Sequence, residues 1–157
     1  MSWLTPYLGP NPTAEELVGQ IGALLIGRRT FGGDDPNRGT GKEGPFGGAW
    51  TGPQFVLTHQ APDAAPPGIT FLDDLDAAVA AAKAAAGEKY VNILGADVAR
   101  QCLQAGVLDE ILVFIAPVLL GDGVRLVDWP GGTTVTLERL TLSQAPLATG
   151  IWFRVLD

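Results

Sequence analysis

The sequence holds one cysteine, Cys102, and one histidine, His59, in 157 residues. One cysteine excludes a disulfide framework and any multi-thiolate zinc site. One histidine excludes His-x-x-x-His metal sites and most triads that need a second base. Charge is scarce as well, at 17% of residues against about 25% in a typical globular domain. What charge there is leans acidic: ten bases against seventeen acids, a formal charge of −7 and a pI near 4.5. A nucleic-acid partner is therefore not expected. No apolar run approaches the ~18 residues of a membrane span. The longest candidate, Ala77–Ala86, is short, mostly alanine, and carries Lys83. No basic segment leads into an apolar stretch at the N-terminus, so no secretion signal is visible and a cytoplasmic location is expected. With 46% hydrophobic residues, the chain reads as one domain over 1–157, long enough to bury a core.

Turn residues divide the chain into alternating elements. Thr13 with Glu16 reads as a capping box, and Leu17 and Ile21 share a face, which predicts a helix over Thr13–Ile21 ended by Gly22. Ala23–Ile26 is a continuous apolar run and predicts a buried strand. Gly32–Gly52 holds eight glycines and predicts a long surface loop of functional or mobile character. Phe55–Thr58, Ile69–Leu72 and Tyr90–Leu94 read as further strands. Between the last two, Asp73 is expected to cap a helix that runs to Ala86 and ends at Gly87. Asp97 is expected to open a second helix to Ala105. Ile111–Ile115, apolar on both faces, reads as a central strand. Thr134–Leu142 and Gly150–Leu156 read as a closing hairpin. Strands alternating with helices predict an α/β domain: a mixed sheet flanked by helices, with a C-terminal antiparallel hairpin.

Ligands of open α/β sheets bind beyond the carboxyl ends of the strands. Three strands here stop at chemically useful residues: Gly27-Arg28-Arg29-Thr30, Thr58-His59-Gln60 and Gly95-Ala96-Asp97. Glycine admits a phosphate to the backbone, a helix N-terminus offers free N–H groups, and arginine forks onto phosphate. Each piece alone has a plainer reading. Arg28 and Arg29 could be a solvated pair, His59 a half-buried structural residue, Asp97 a helix cap, and Cys102 core packing. Asp73, Asp74 and Asp76 read as a helix-start cluster and not as a metal site.

The order of these pieces, followed by Leu-Asp-Glu-Ile and Ala-Pro-Val-Leu-Leu-Gly-Asp-Gly, resembles one family over about residues 13–157, most specifically Asn92–Gly123. It is similar to stand-alone relatives of the C-terminal reductase domain of the bifunctional riboflavin-biosynthesis deaminase/reductase, which share the dihydrofolate reductase fold. The resemblance implies NADPH as cofactor and hydride transfer to a small substrate. It implies that Gly27, Arg28, Arg29 and Thr30 hold the pyrophosphate and 2′-phosphate. Leu57, Thr58 and His59 would then lie beside the adenosine ribose. Gly95, Ala96, Asp97, Val98 and Ala99 would lie beside the nicotinamide and pyrophosphate. Alternatives are a nucleotide-binding relative without catalysis, or a 5-amino-6-(5-phosphoribosylamino)uracil reductase, for which only Lys42, Arg38 and Arg125 remain as spare cations. No catalytic residue is assigned; His59, Asp97, Asp34 and Asp35 are candidates for a proton donor.

Relatives carry two glycines where this chain has Gly95-Ala96. They also begin with a central strand bearing a Ser-Leu-Asp-Gly type motif, and Met1–Pro12 holds no such motif. A sheet without that strand leaves two rows of unpaired backbone groups. Either Ser2–Leu8 enters the sheet, or a partner supplies a strand, or the coding region begins upstream, which is the expectation here. Apolar residues on both faces of the closing hairpin further predict a homodimer.

Overall fold

The computed structural model describes residues 2–7, 9–33, 35 and 37–156. Four parallel strands form one sheet: β1 (Ile21–Gly27), β2 (Gln54–Leu57), β3 (Ile69–Leu72) and β4 (Tyr90–Leu94), in the order β3-β2-β1-β4. Helices α1 (Pro12–Gln20), α2 (Arg28–Phe31), α3 (Leu75–Ala86) and α4 (Ala96–Gln104) alternate with the strands. The rest of the chain forms a three-stranded antiparallel sheet of β5 (Glu110–Ile115), β6 (Leu137–Ala145) and β7 (Ala148–Val155), in the order β5-β7-β6. The α/β class is as expected. The strands, however, form two sheets and not a single mixed one.

Two core layers sandwich β1. Ala23 and Leu25 face Ala78, Ala82 and Ala86 of α3 and Val98 and Cys102 of α4. Ile21, Leu24 and Ile26 face Trp50 and Val56 on the other side. Alanines spaced by four let the axis of α3 approach the sheet closely. Ile21 shares a face with Leu24 and Ile26 because the register with β4 slips between Ile21 and Ala23, so Gly22 is an extra residue. Only glycine fits there. A Cβ would lie 2.6 Å from the Ala86 carbonyl oxygen and 2.9 Å from the Lys89 Cβ.

Several boundaries differ from the sequence reading. Asn11, not the Thr13–Glu16 box, caps α1 by accepting from the Ala14 N–H at 3.2 Å, with Pro12 opening the helix. Asp74, not Asp73, caps α3 through the Ala77 N–H at 2.8 Å. In both cases the true cap has a neighbour that could also have capped, and register decides. The strand Ile111–Ile115 is expected to be central, but among the described residues β5 is an edge: it pairs with β7 alone, as β4 pairs with β1 alone. Ser2–Tyr7 is a 3₁₀ turn containing Pro6, so it does not enter the sheet as a strand; Leu8 lies outside the described residues. A cavity of about 300 Å³ lies between the two sheets, lined by Val91 and Ile93 of β4, Cys102, and Val107, Leu108 and Glu110 leading into β5. Trp152 of β7 donates to the Glu110 carboxylate of the same sheet at 2.7 Å and reaches toward β4, its ring 6.0 Å from that of Tyr90.

The closeness at Gly22 sets a test. Gly22→Ala forces the end of α3 off the sheet and is expected to destabilise by about 1–3 kcal/mol. The check is a lower urea midpoint with an unchanged m-value.

Candidate functional site

The parallel pairing brings three strand ends to one rim. Gly27 sits opposite Leu57, and Ile26 sits opposite Leu94, so the segments that follow β1, β2 and β4 emerge side by side. Gly27 leads directly into the short helix α2, where Arg28, Arg29 and Thr30 are exposed. Gly95 leads directly into α4. Its φ of +114° is a value that side chains rarely adopt, and a Cβ there would lie 2.8 Å from the Thr30 hydroxyl and 3.6 Å from the Gly27 amide. The absence of that methyl group is what lets the start of α4 close on α2.

The first intrahelical bond of α4 runs from the Ala99 N–H to the Gly95 carbonyl at 3.0 Å. The N–H groups of Ala96, Asp97 and Val98 therefore point out of the helix start, where no side chain caps them. Ala99, expected beside the pyrophosphate with them, has its N–H already bonded. Asp97, expected as the cap, is instead the second residue of the helix. Its carboxylate accepts from Arg100 at 2.6 Å and Gln101 at 2.9 Å. These bonds, the one to Arg100 foremost, hold its carboxyl below the usual carboxylate range, with a smaller contribution from the charge of Arg29. Arg100 escaped the sequence reading, although a base three residues after an acid on a helix is the signal for such a pair.

Thr58 is turned inward. It is buried, its hydroxyl accepts from the Gln60 N–H at 3.1 Å, and its own N–H donates to the Leu72 carbonyl at 2.7 Å. It shapes the exit from β2 and has no free hydroxyl hydrogen directed at the rim. His59, next to it, is exposed.

Hydrogen bonds hold two of the four proton-donor candidates below the usual carboxylate range. Asp97 is one. Asp35 is the other: its carboxylate accepts from the Gly44 and Asn37 amides, each at 2.8 Å, and these bonds pull its pKa down. Asp35 thus organises the turn of the glycine-rich loop. Asp34 lies outside the described residues. Within that loop Trp50 is a core residue, buried and donating to the Ile21 carbonyl at 3.1 Å. Among the described residues no cluster of His, Cys, Asp and Glu could hold a metal ion. No described helix is long and apolar enough to cross a membrane. The cavity between the sheets is not lined by the rim residues.

Comparison with known proteins gives a family and a fold. The family described as the RibD C-terminal domain matches residues 9–147. No curated protein matches the sequence. A putative riboflavin biosynthesis protein from Shewanella sp. PV-4 has a similar structure, with a TM-score of 0.71 and 20% identity, covering 100% of this chain and 88% of that one. A pyrimidine reductase-like protein from Corynebacterium diphtheriae follows at 0.63 and 17%, covering 97% and 84%. A Thermotoga maritima deaminase/5-amino-6-(5-phosphoribosylamino)uracil reductase matches at 0.60 and 13% over 92% of this chain and 48% of its own length.

Two expectations follow from the rim. Gly95→Ala combines a strained φ with a clash on Thr30 and is expected to cost about 1–3 kcal/mol. Thr30→Ala should recover part of that loss, a non-additivity that a double-mutant cycle measures. Asp97→Asn removes a carboxylate whose folded pKa lies below its unfolded value near 3.8. Its contribution is present above that value and fades as pH falls through the folded pKa. The half-exposed side chain limits the difference to under about 1 kcal/mol at pH 7, and denaturation curves of the two proteins should converge below pH 4.

Proposed function

This chain belongs to the RibD C-terminal domain family, and from that premise we propose that it is a reductase that takes its hydride from NADPH. The observation that carries the reading is the Gly95 seat. A strand end with no Cβ, against Thr30 and Gly27, opens a helix whose first three N–H groups are free. Such a site suits a pyrophosphate. Arg28 and Arg29, exposed beside it, suit the 2′-phosphate, and the Leu57–His59 exit suits the ribose between them. A bound reduced nicotinamide would supply the hydride. The protein's part is to hold it by these groups and orient it toward the substrate. Likeness to a putative riboflavin biosynthesis protein and to a 5-amino-6-(5-phosphoribosylamino)uracil reductase supports a small substrate in riboflavin-related chemistry.

Titration with both nucleotides tests this. NADPH should bind roughly ten- to hundredfold more tightly than NADH, the contribution of one charge-assisted bond to the 2′-phosphate. Arg28→Ala should remove most of the preference. Equal affinities in the unaltered protein overturn the assignment, and a preference that survives Arg28→Ala moves the contact to Arg29 or His59. Loss of NADPH absorbance over carbonyl, pterin and phosphorylated aminopyrimidine substrates then reads turnover. Binding without turnover would return a nucleotide-binding relative without catalysis.

A further inference from the structure

The cavity between the two sheets lies apart from the rim. Tyr90 opens β4, Glu110 opens β5, and both line it, whereas the rim begins beyond Leu94. Its walls are aliphatic: Leu25, Val79, Val91, Ile93, Val107 and Leu108. At about 300 Å³ it is roughly twice the size of an apolar cavity that takes up benzene, so one ring with a short tail fits. Glu110 brings a charge to this apolar space. Its half-buried carboxylate accepts from the Trp152 indole at 2.7 Å. Burial first, and the neighbouring Glu110 charge second, push the Tyr90 pKa up. No ion pair of the described residues includes Glu110. Arg154, opposite it in register, pairs with Glu138 at 2.8 Å. Lys89, also in the lining, donates to the Gly19 carbonyl at 3.3 Å. Lys83 sits in the last turn of α3, where the helix carbonyls favour a cation. A carboxylate withdrawn from water without a cation is a standing electrostatic cost.

We propose that this cavity is a second binding site, separate from the rim, for a small apolar molecule that carries an ammonium group. The aliphatic walls take the body of the molecule. The ammonium meets Glu110, whose charge has no cation of its own, and the adjacent Tyr90 ring offers its π face to the same group. Asp109, next in the lining, adds a second negative charge on that side. A neutral molecule of the same shape gains from the walls alone. An anionic one meets the acid pair, while Lys89 is already engaged by α1. The occupant touches β4 and the segment entering β5 at once, so it stabilises the folded chain by mass action.

Calorimetric titration of the whole chain with phenethylamine, phenethyl alcohol and phenylpropionate tests this, because these probes share a ring and differ in charge. Phenethylamine should bind about tenfold or more tightly than the alcohol, the contribution of one charge-assisted bond. It should also raise Tm more than the alcohol does at equal concentration. Glu110→Gln keeps an acceptor for the Trp152 indole and removes the charge. The amine should lose about tenfold in affinity for that variant, while the alcohol, unchanged, shows that the variant is folded. Tyr90→Leu should weaken the amine by roughly threefold. Equal affinities for amine and alcohol in the unaltered protein overturn the proposal. So do tighter binding of phenylpropionate, no binding of the amine at millimolar concentration, or an amine affinity that survives Glu110→Gln. The probe series needs no variant, so it decides the matter even should Glu110→Gln not fold.

Discussion

The burial of β1 on both faces is the constraint on which the other elements depend. Leu24 and Leu25 are shut off from solvent on opposite sides, so each layer of the domain must bring its own partners to this strand. The alanine face of α3 and Cys102 of α4 serve one side, while Trp50 reaches in from the long loop to serve the other. Since β1 has no exposed side along its length, the chain turns polar only where the strand stops. Arg28 and Arg29 appear at that point, and β2 and β4, held in parallel register, deliver their own ends to the same rim. The rim is a by-product of a strand that can be polar nowhere else.

The elements with strong internal signals were legible in the sequence. Continuous apolar runs located β1 and β2, a largely apolar run located β4 despite Asn92, and the alanine-rich segment located α3. Caps were read one or two residues wrong at Asn11 and Asp74. Nearby residues with similar capping chemistry are separated only by the packing that fixes where the helix begins. β5 was misplaced for a related reason: apolarity on both faces marks a strand that wants cover, and does not say whether strands flank it.

The rim was legible as a set of residues but not as a set of roles. Sequence order brought Gly27, Arg28, Thr30, Thr58 and Gly95 to one place, and they lie along one edge. Which hydroxyls and carboxylates stay free depends on local hydrogen bonding that composition does not encode. Thr58 is taken up by Gln60, Asp97 by Arg100 and Gln101, and Asp35 by two amides of its own loop. Anions that already have donors hold their protons poorly, so the acids nearest the rim are structural, and its cations are left without internal partners among the described residues.

Cys102 lies where the two sheets part. It is fully enclosed, its burial pushes the thiol pKa up, and it lines the cavity between β4 and the segment entering β5. A protonated, shielded sulfur reacts with nothing while the sheets keep their spacing. Any parting of the two sheets that admits water also admits a thiol reagent. With no second cysteine to confuse the signal, the labelling rate of this one atom serves as a clock for how often the divide opens.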